Sequence, residues 1–146
     1  MKTPLEDPIG DTRHFELLSV SLHAEGHHDP LVALPLPGSP FALKEGAEIR
    51  VTLTFRLGKP VEGLKFVDVR ERQGVVVATN EVMLGCYRPG GPYEVVLPPE
   101  RLPSGHLARD TYQVKGTFVD ADGHVLGYGN HCFRITKEWP EQACGV

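Results

Sequence analysis

Apolar and polar residues alternate along this chain far more often than they recur at helical spacing, and the clearest alternation lies between Phe41 and Phe66. Ile49, Val51, Leu53 and Phe55 share one parity, and Arg50, Thr52, Thr54 and Arg56 fill the other. That period of two is the pattern of a strand with one face on a core and one in water. Lys44, Glu45 and Gly46 before it, and Gly58, Lys59 and Pro60 after it, supply turn chemistry.

The same pattern recurs along the chain. From Phe15, the run FELLSVSLHAEG places Leu18, Val20 and Leu22 on one parity and Phe15 and Leu17 on the other, which predicts a first strand ending near Gly26. Leu31 to Leu36 alternates as LVALPL, and Pro35 and Pro37 confine it to a sheet edge. Phe66–Val69 and Val75–Val77 read as two strands joined by the polar stretch Arg70–Gly74, with Glu81–Tyr87 as a further short strand. Arg88 to Pro92 then breaks the pattern, and Tyr93–Leu97 resumes it. Pro98, Pro99 and Pro103 leave room for a brief helical turn at most. Tyr112, Val114, Gly116 and Phe118 form a second clean strand, closed by a hairpin turn at Asp120, Asp122 and Gly123. The last strand runs through Phe133 and Ile135 to Trp139, and Pro140 ends it. About eight or nine antiparallel strands with turns at this spacing predict an all-β, immunoglobulin-like two-sheet sandwich, without the Cys–Trp–Cys spacing of antibody domains.

Length and composition narrow this reading. At 146 residues, 40% hydrophobic and 23% charged, the chain has the size and balance of one globular domain. The expected division is a lead-in over residues 1–14, a sandwich over 15–139 and a tail over 140–146. No apolar run reaches membrane-spanning length, and the acidic, Pro-bearing start MKTPLEDPIGDTRH lacks the form of a secretory signal, so the expected location is cytoplasmic. Cys86, Cys132 and Cys144 form no CxxC and are odd in number, which suits free thiols in a reducing compartment. A net charge of −4 without a Lys/Arg cluster argues against nucleic-acid binding.

Candidate chemistry is sparse. His23, His27 and His28 lie near Asp29, but no second ligand pair follows, so a solvated loop is the preferred reading and no metal is expected. His106, His124 and His131 could be drawn beside Cys86 or Cys132 as a base and a thiol. There is no GxSxG, HExxH or phosphate loop, so a hydrolase-like reading ranks well behind a binding protein and no cofactor is expected.

Several runs taken together carry a resemblance: FALKEGAEIRVTLTFRL, VEGLKFV, MLGCYRPGGPYEVVLP, LPSGHLARDTYQVKGTFVDADG and RITKEW. With their LKEG, GxYxP, G-x-LARxxYxVK and Lys-acid-Trp motifs, they are similar to the C-terminal domain of the Rho GDP-dissociation inhibitors over roughly Phe41 to Trp139. The resemblance implies a sandwich whose sheets part to take the geranylgeranyl or farnesyl tail of a small GTPase, without catalysis. It also implies a prenylated small GTPase, or another lipidated protein, as partner. By this likeness the lipid-binding positions are Leu34, Leu36, Phe41, Ile49, Val51, Leu53, Leu64, Phe66 and Phe133. Glu81, Glu100, Asp120 and Asp122 match acidic places that meet the basic tail of the GTPase, while Arg101 and Ala121 replace acids. The turn at Asp120 and Asp122 accounts for those two equally well.

Two departures stand out. The family's N-terminal regulatory arm has no counterpart in the short stretch before the first strand, and the family's Trp-acid-Trp falls on Gly129, Asn130 and His131. The slot is therefore either wider or repacked by smaller residues. The alternative to a lipid carrier is a protein-interaction or adaptor module that keeps the sandwich, has a closed core and binds through an edge strand or acidic loop.

Overall fold

The structure, a computed structural model, describes residues 14–27, 32–33 and 40–140. Among these residues ten strands build two sheets: β1 (Phe15–Ala24), β2 (Val32–Ala33), β3 (Phe41–Lys44), β4 (Glu48–Leu57), β5 (Val61–Arg72), β6 (Val75–Tyr87), β7 (Gly90–Val96), β8 (Glu100–Arg101), β9 (Thr111–Val119) and β10 (Val125–Thr136). Among the described residues a single 3-10 turn, at His106–Ala108, is the brief helical turn that the prolines leave room for. Among the described residues no helix is long and apolar enough to cross a membrane.

The first sheet has the order β2-β1-β4-β7, with β8 also pairing β4. The second has the order β3-β10-β9-β5-β6. The ladders are antiparallel except that β3 lies parallel to β10, with Phe41 beside Phe133 and Lys44 beside Thr136. This is the expected two-sheet sandwich, with one parallel edge that alternation could not foretell.

Local chemistry explains where the strands depart from expectation. In β1 a register shift between Leu17 and Ser19 places an extra residue at Leu18. The bulge reconciles the two parities of the sequence, because Phe15 and Leu17 point inward before it and Val20, Leu22 and Ala24 after it. The polar stretch at Arg70–Gly74 proves mostly strand: β5 continues to Arg72, and the turn is only Gln73 and Gly74, at φ 52° and 79°. Two successive residues at positive φ form the tight hairpin turn whose twist suits adjoining strands. Val75–Val77 and Glu81–Tyr87 are accordingly one strand, β6, and Val75, Val76, Val77 and Met83 stand exposed on this edge of the second sheet.

Two clusters fill the interior. One gathers Leu22, Leu43, Ile49, Tyr112, Val114, Phe133 and Ile135, with Trp139 packed against it. The other gathers Phe15, Leu53, Phe55, Leu57, Val61, Leu64 and Phe118. Ring contacts cross from sheet to sheet in the second: Phe66 to Phe118 at 4.9 Å, Phe118 to Phe15 at 4.8 Å and Phe15 to Phe55 at 5.7 Å.

Candidate functional site: a hollow between the sheets

Three neighbouring rows of the second sheet set the geometry. Phe66 pairs with Phe118, Asp68 with Gly116 and Arg70 with Val114 across β5 and β9; Phe118 continues to Gly127, Gly116 to Gly129 and Val114 to His131 across β9 and β10. The row at Phe66 carries large rings, and the absence of a side chain on Gly127 leaves room for Phe15, since a Cβ there would sit 2.9 Å from its ring. The middle row has two glycines and a short carboxylate. A Cβ on Gly116 would lie 2.9 Å from the Phe66 ring, whereas one on Gly129 would meet nothing within 4 Å.

A cavity of about 530 Å³ opens above that row. Leu17, Val20, Leu22, Ile49, Val51, Leu53 and Leu97 wall it from the first sheet, and Phe41, Leu43, Phe66, Val114, Phe118 and Phe133 from the second. The volume lies within the ~300–1,000 Å³ of ordinary small-molecule pockets, and the mostly apolar wall has a few polar groups set into it, as such pockets do.

Asn130 and Tyr128 lie among the polar groups, and the charged or titratable ones that cluster are Asp68, Arg70, Glu100 and His131. Arg70 donates from Nη1 and Nη2 to both carboxylate oxygens of Glu100, the second bond at 2.6 Å, and so joins β5 to β8 of the opposite sheet. From Nη2 it also reaches Asp68 Oδ2 at 3.4 Å, and its guanidinium lies 5.5 Å from the centre of the Phe133 ring. One guanidinium thus serves two carboxylates. Asp68 Oδ1 and Arg70 Nε are buried with no hydrogen-bond partner. Burial pushes the Asp68 carboxyl above its ordinary range, with Glu100 adding to the push and Arg70 opposing it. Burial works against the Arg70 charge, but Glu100 and Asp68 outweigh it and raise its pKa.

His131 stacks on Phe41 with ring centres 5.8 Å apart. Neither ring nitrogen has a hydrogen-bond partner among the described residues, and burial, aided by the nearby Arg70 charge, pulls its pKa down to about 4. At neutral pH it is an uncharged imidazole with one donor and one acceptor.

Of the positions expected to bind lipid, Phe41, Ile49, Val51, Leu53, Phe66 and Phe133 line this cavity. Leu64 lies off its wall, fully buried in the aromatic cluster one row beyond Phe66. Leu34 and Leu36 fall outside the described residues, as do His28 and Asp29.

The four acids expected to meet a partner divide among three settings. Glu81 pairs with Lys65 at 3.2 Å on the exposed β5–β6 surface, and Glu100 is taken up by Arg70 on the cavity wall. Asp120 organises the β9–β10 turn, accepting from the backbone N–H of Asp122 and of His124 at 2.9 Å each. Burial opposes the Asp120 charge, but the bonds from His124 and Asp122 outweigh it and hold its carboxyl below the usual range. The ligand atoms of Asp120, Asp122 and His124 lie within 4.8 Å of one another, and this turn accounts for their meeting.

Sequence reasoning passed over Asp68, Arg70 and Gly116. The signal was present, because Leu64, Phe66, Asp68 and Arg70 share one parity on a continuous strand, so two charged residues stand where the buried face should be. The thiol–histidine reading gains no geometry: Cys86 is exposed, and Cys132 follows His131 directly on a strand, which turns the two side chains to opposite faces.

A sequence profile described as "RHO protein GDP dissociation inhibitor" matches residues 6–138. The chain is 34% identical over 140 residues to "Rho GDP-dissociation inhibitor 1" of Arabidopsis thaliana, covering 90% of this chain and 58% of that protein. It is 32% identical to "Rho GDP-dissociation inhibitor" of Schizosaccharomyces pombe, over 90% of this chain and 69% of that one. To "Rho GDP-dissociation inhibitor 1" of Homo sapiens it is 36% identical, over 69% of this chain and 50% of that one. Among solved structures, one titled "Crystal structure of the C-terminal domain of wzt" superposes with a TM-score of 0.58 at 10% identity, covering 86% of this chain and 75% of that one, a likeness of fold alone.

Proposed function

Because the chain belongs to the Rho GDP-dissociation inhibitor family, we propose that it takes the isoprenoid tail of a Rho-type small GTPase into the hollow between its sheets and so regulates that GTPase without catalysis. The observation that carries this reading is the apolar cavity of about 530 Å³ over the Asp68–Gly116–Gly129 row. Burying a chain there contributes roughly 0.8 kcal/mol per methylene, on the order of 10 kcal/mol for a prenyl tail, enough to compete with a bilayer for a singly anchored protein.

Phe41, Ile49, Val51, Leu53, Phe66 and Phe133 are the proposed lipid contacts. Glu81, Asp120 and Asp122, with side chains at or near the surface, are the proposed contacts for a basic segment beside the lipid, while Glu100 is committed to Arg70. Such a carrier works in water between membranes, and the cytoplasm is its proposed compartment. A hollow of this size also counts against the closed-core adaptor alternative.

The test is titration calorimetry with a C-terminal peptide carrying a geranylgeranyl cysteine and with the same peptide unmodified. The prenylated peptide is expected to bind with a Kd in the micromolar range or tighter, about −8 kcal/mol. Equal, weak binding of the two peptides would defeat the proposal.

A further inference from the structure

The part of the cavity wall that a hydrocarbon chain leaves unsatisfied is its polar corner. Phe41 and Phe133 pack well against a prenyl chain; His131, stacked beside Phe41 on the same wall, does not. Its imidazole faces the hollow with no hydrogen-bond partner on either nitrogen among the described residues. Covering it with methylenes would strip its water and return nothing.

Beside it stands a cluster with a definite sign. Asp68 and Glu100 bring two carboxylates to the single guanidinium of Arg70. Both Nη atoms of Arg70 are spent on Glu100 and Asp68 receives only a long bond, while Asp68 Oδ1 and Arg70 Nε have no partner at all. The corner therefore offers one unmet acceptor and one unmet donor, and it sets two acids against one guanidinium. A carboxylate or phosphate there would face two acids with a single, already engaged guanidinium, whereas a neutral hydroxyl can both donate and accept.

We propose that this cavity also accepts free lipids and selects among them for an isoprenoid alcohol, whose hydroxyl hydrogen-bonds His131 while the Asp68–Arg70–Glu100 cluster repels anionic head groups. The proposal rests on the cavity being a lipid site. It adds a ligand class that carries no protein and a residue that sets the choice. The hydroxyl both donates and accepts, so either tautomer of the neutral imidazole serves it. One hydrogen bond to the otherwise unpartnered, half-buried imidazole corresponds to about a tenfold preference.

The experiment compares three small probes and one reference ligand on the whole chain: farnesol, the hydrocarbon farnesene, farnesyl diphosphate, and S-farnesyl cysteine methyl ester. Farnesol is expected to bind about tenfold tighter than farnesene, with farnesyl diphosphate weaker than either. In His131→Phe, with folding checked by thermal melting, the advantage of farnesol over farnesene should shrink to within about threefold. Nitrogen NMR of the unaltered protein guards against a variant that misfolds, because the His131 ring resonances should move with farnesol and stay put with farnesene. Farnesol and farnesene binding alike, or an unmoved imidazole, overturns the proposal. If the farnesyl cysteine ester binds while farnesol shows no advantage, only the alcohol preference falls. If none of the four ligands binds, the lipid-carrier reading falls with it.

Discussion

Two neighbouring rows of the second sheet face the same opposing sheet and treat the space between in opposite ways. At Phe66–Phe118–Gly127, rings reach across to Phe15 and Phe55 and the interior is solid. At Asp68–Gly116–Gly129 nothing of comparable size projects, and the interior is hollow. Strand order, pairing and alternation are common to both rows, so the backbone does not make the cavity. Side-chain size on three inward positions does. A sandwich becomes a container by omitting side chains from one row, while the aromatic row beside it holds the sheets together.

Substitutions in the two rows test this division, and the solid row should give the largest effect. Phe55 is 0% exposed, and Phe55→Ala is expected to cost about 3–5 kcal/mol of stability by urea unfolding. A loss under about 1 kcal/mol would show that the aromatic row does not hold the sheets.

Acidification comes next and acts on the hollow side. His131 has a native pKa of about 4 against a reference of 6.5, so between those values the unfolded chain binds the extra proton. Its share of stability is present above about pH 6.5 and is lost as pH falls toward about 4, on the order of 2–3 kcal/mol in total. His131→Phe should flatten that part of the pH dependence, and parallel slopes in the two proteins would contradict it.

A smaller effect is expected where the rows meet. Gly116→Ala drives a methyl to 2.9 Å from the Phe66 ring, which has the cavity beside it to yield into, and should cost about 1–2 kcal/mol by thermal melting. The smallest effect on folding belongs to Gly129→Leu, which points into open space and should leave stability within about 0.5 kcal/mol. The same change fills the slot, so affinity for a prenylated peptide should fall at least tenfold, about 1.4 kcal/mol. Unchanged affinity in a folded Gly129→Leu protein would place the lipid elsewhere.

Much of the architecture was legible in the sequence, because alternation is a local signal. Ile49, Val51, Leu53 and Phe55 declared β4, and Tyr112 to Phe118 declared β9. The extent of β5 was not legible, because Arg70 and Arg72 read as turn residues until their pairing with β6 and β9 is known. The hollow was hidden for a related reason. Gly129 stood out against the resemblance as a missing ring, but Gly116 looked unremarkable, and only the register of β9 against β10 sets the two side by side. The place of Glu100 was not legible either: the resemblance set it among acids that meet a partner, and its bond to Arg70, on a strand of the other sheet, has no local signal.

The parallel pairing of β3 with β10 has a consequence for how the protein is made. Phe41–Lys44 meets Phe133–Thr136 across most of the chain, so that ladder is among the least local contacts of the fold and is expected to form after the hairpins. Until it docks, Phe41 and His131 do not stack, and the apolar faces of β4 and β9 have no completed wall between them and solvent. A chain halted at that stage is prone to self-association, as partly folded β proteins are. The enclosed hollow thus depends on that ladder being made, and its presence reports on completion of the native state more sharply than the content of β-structure does.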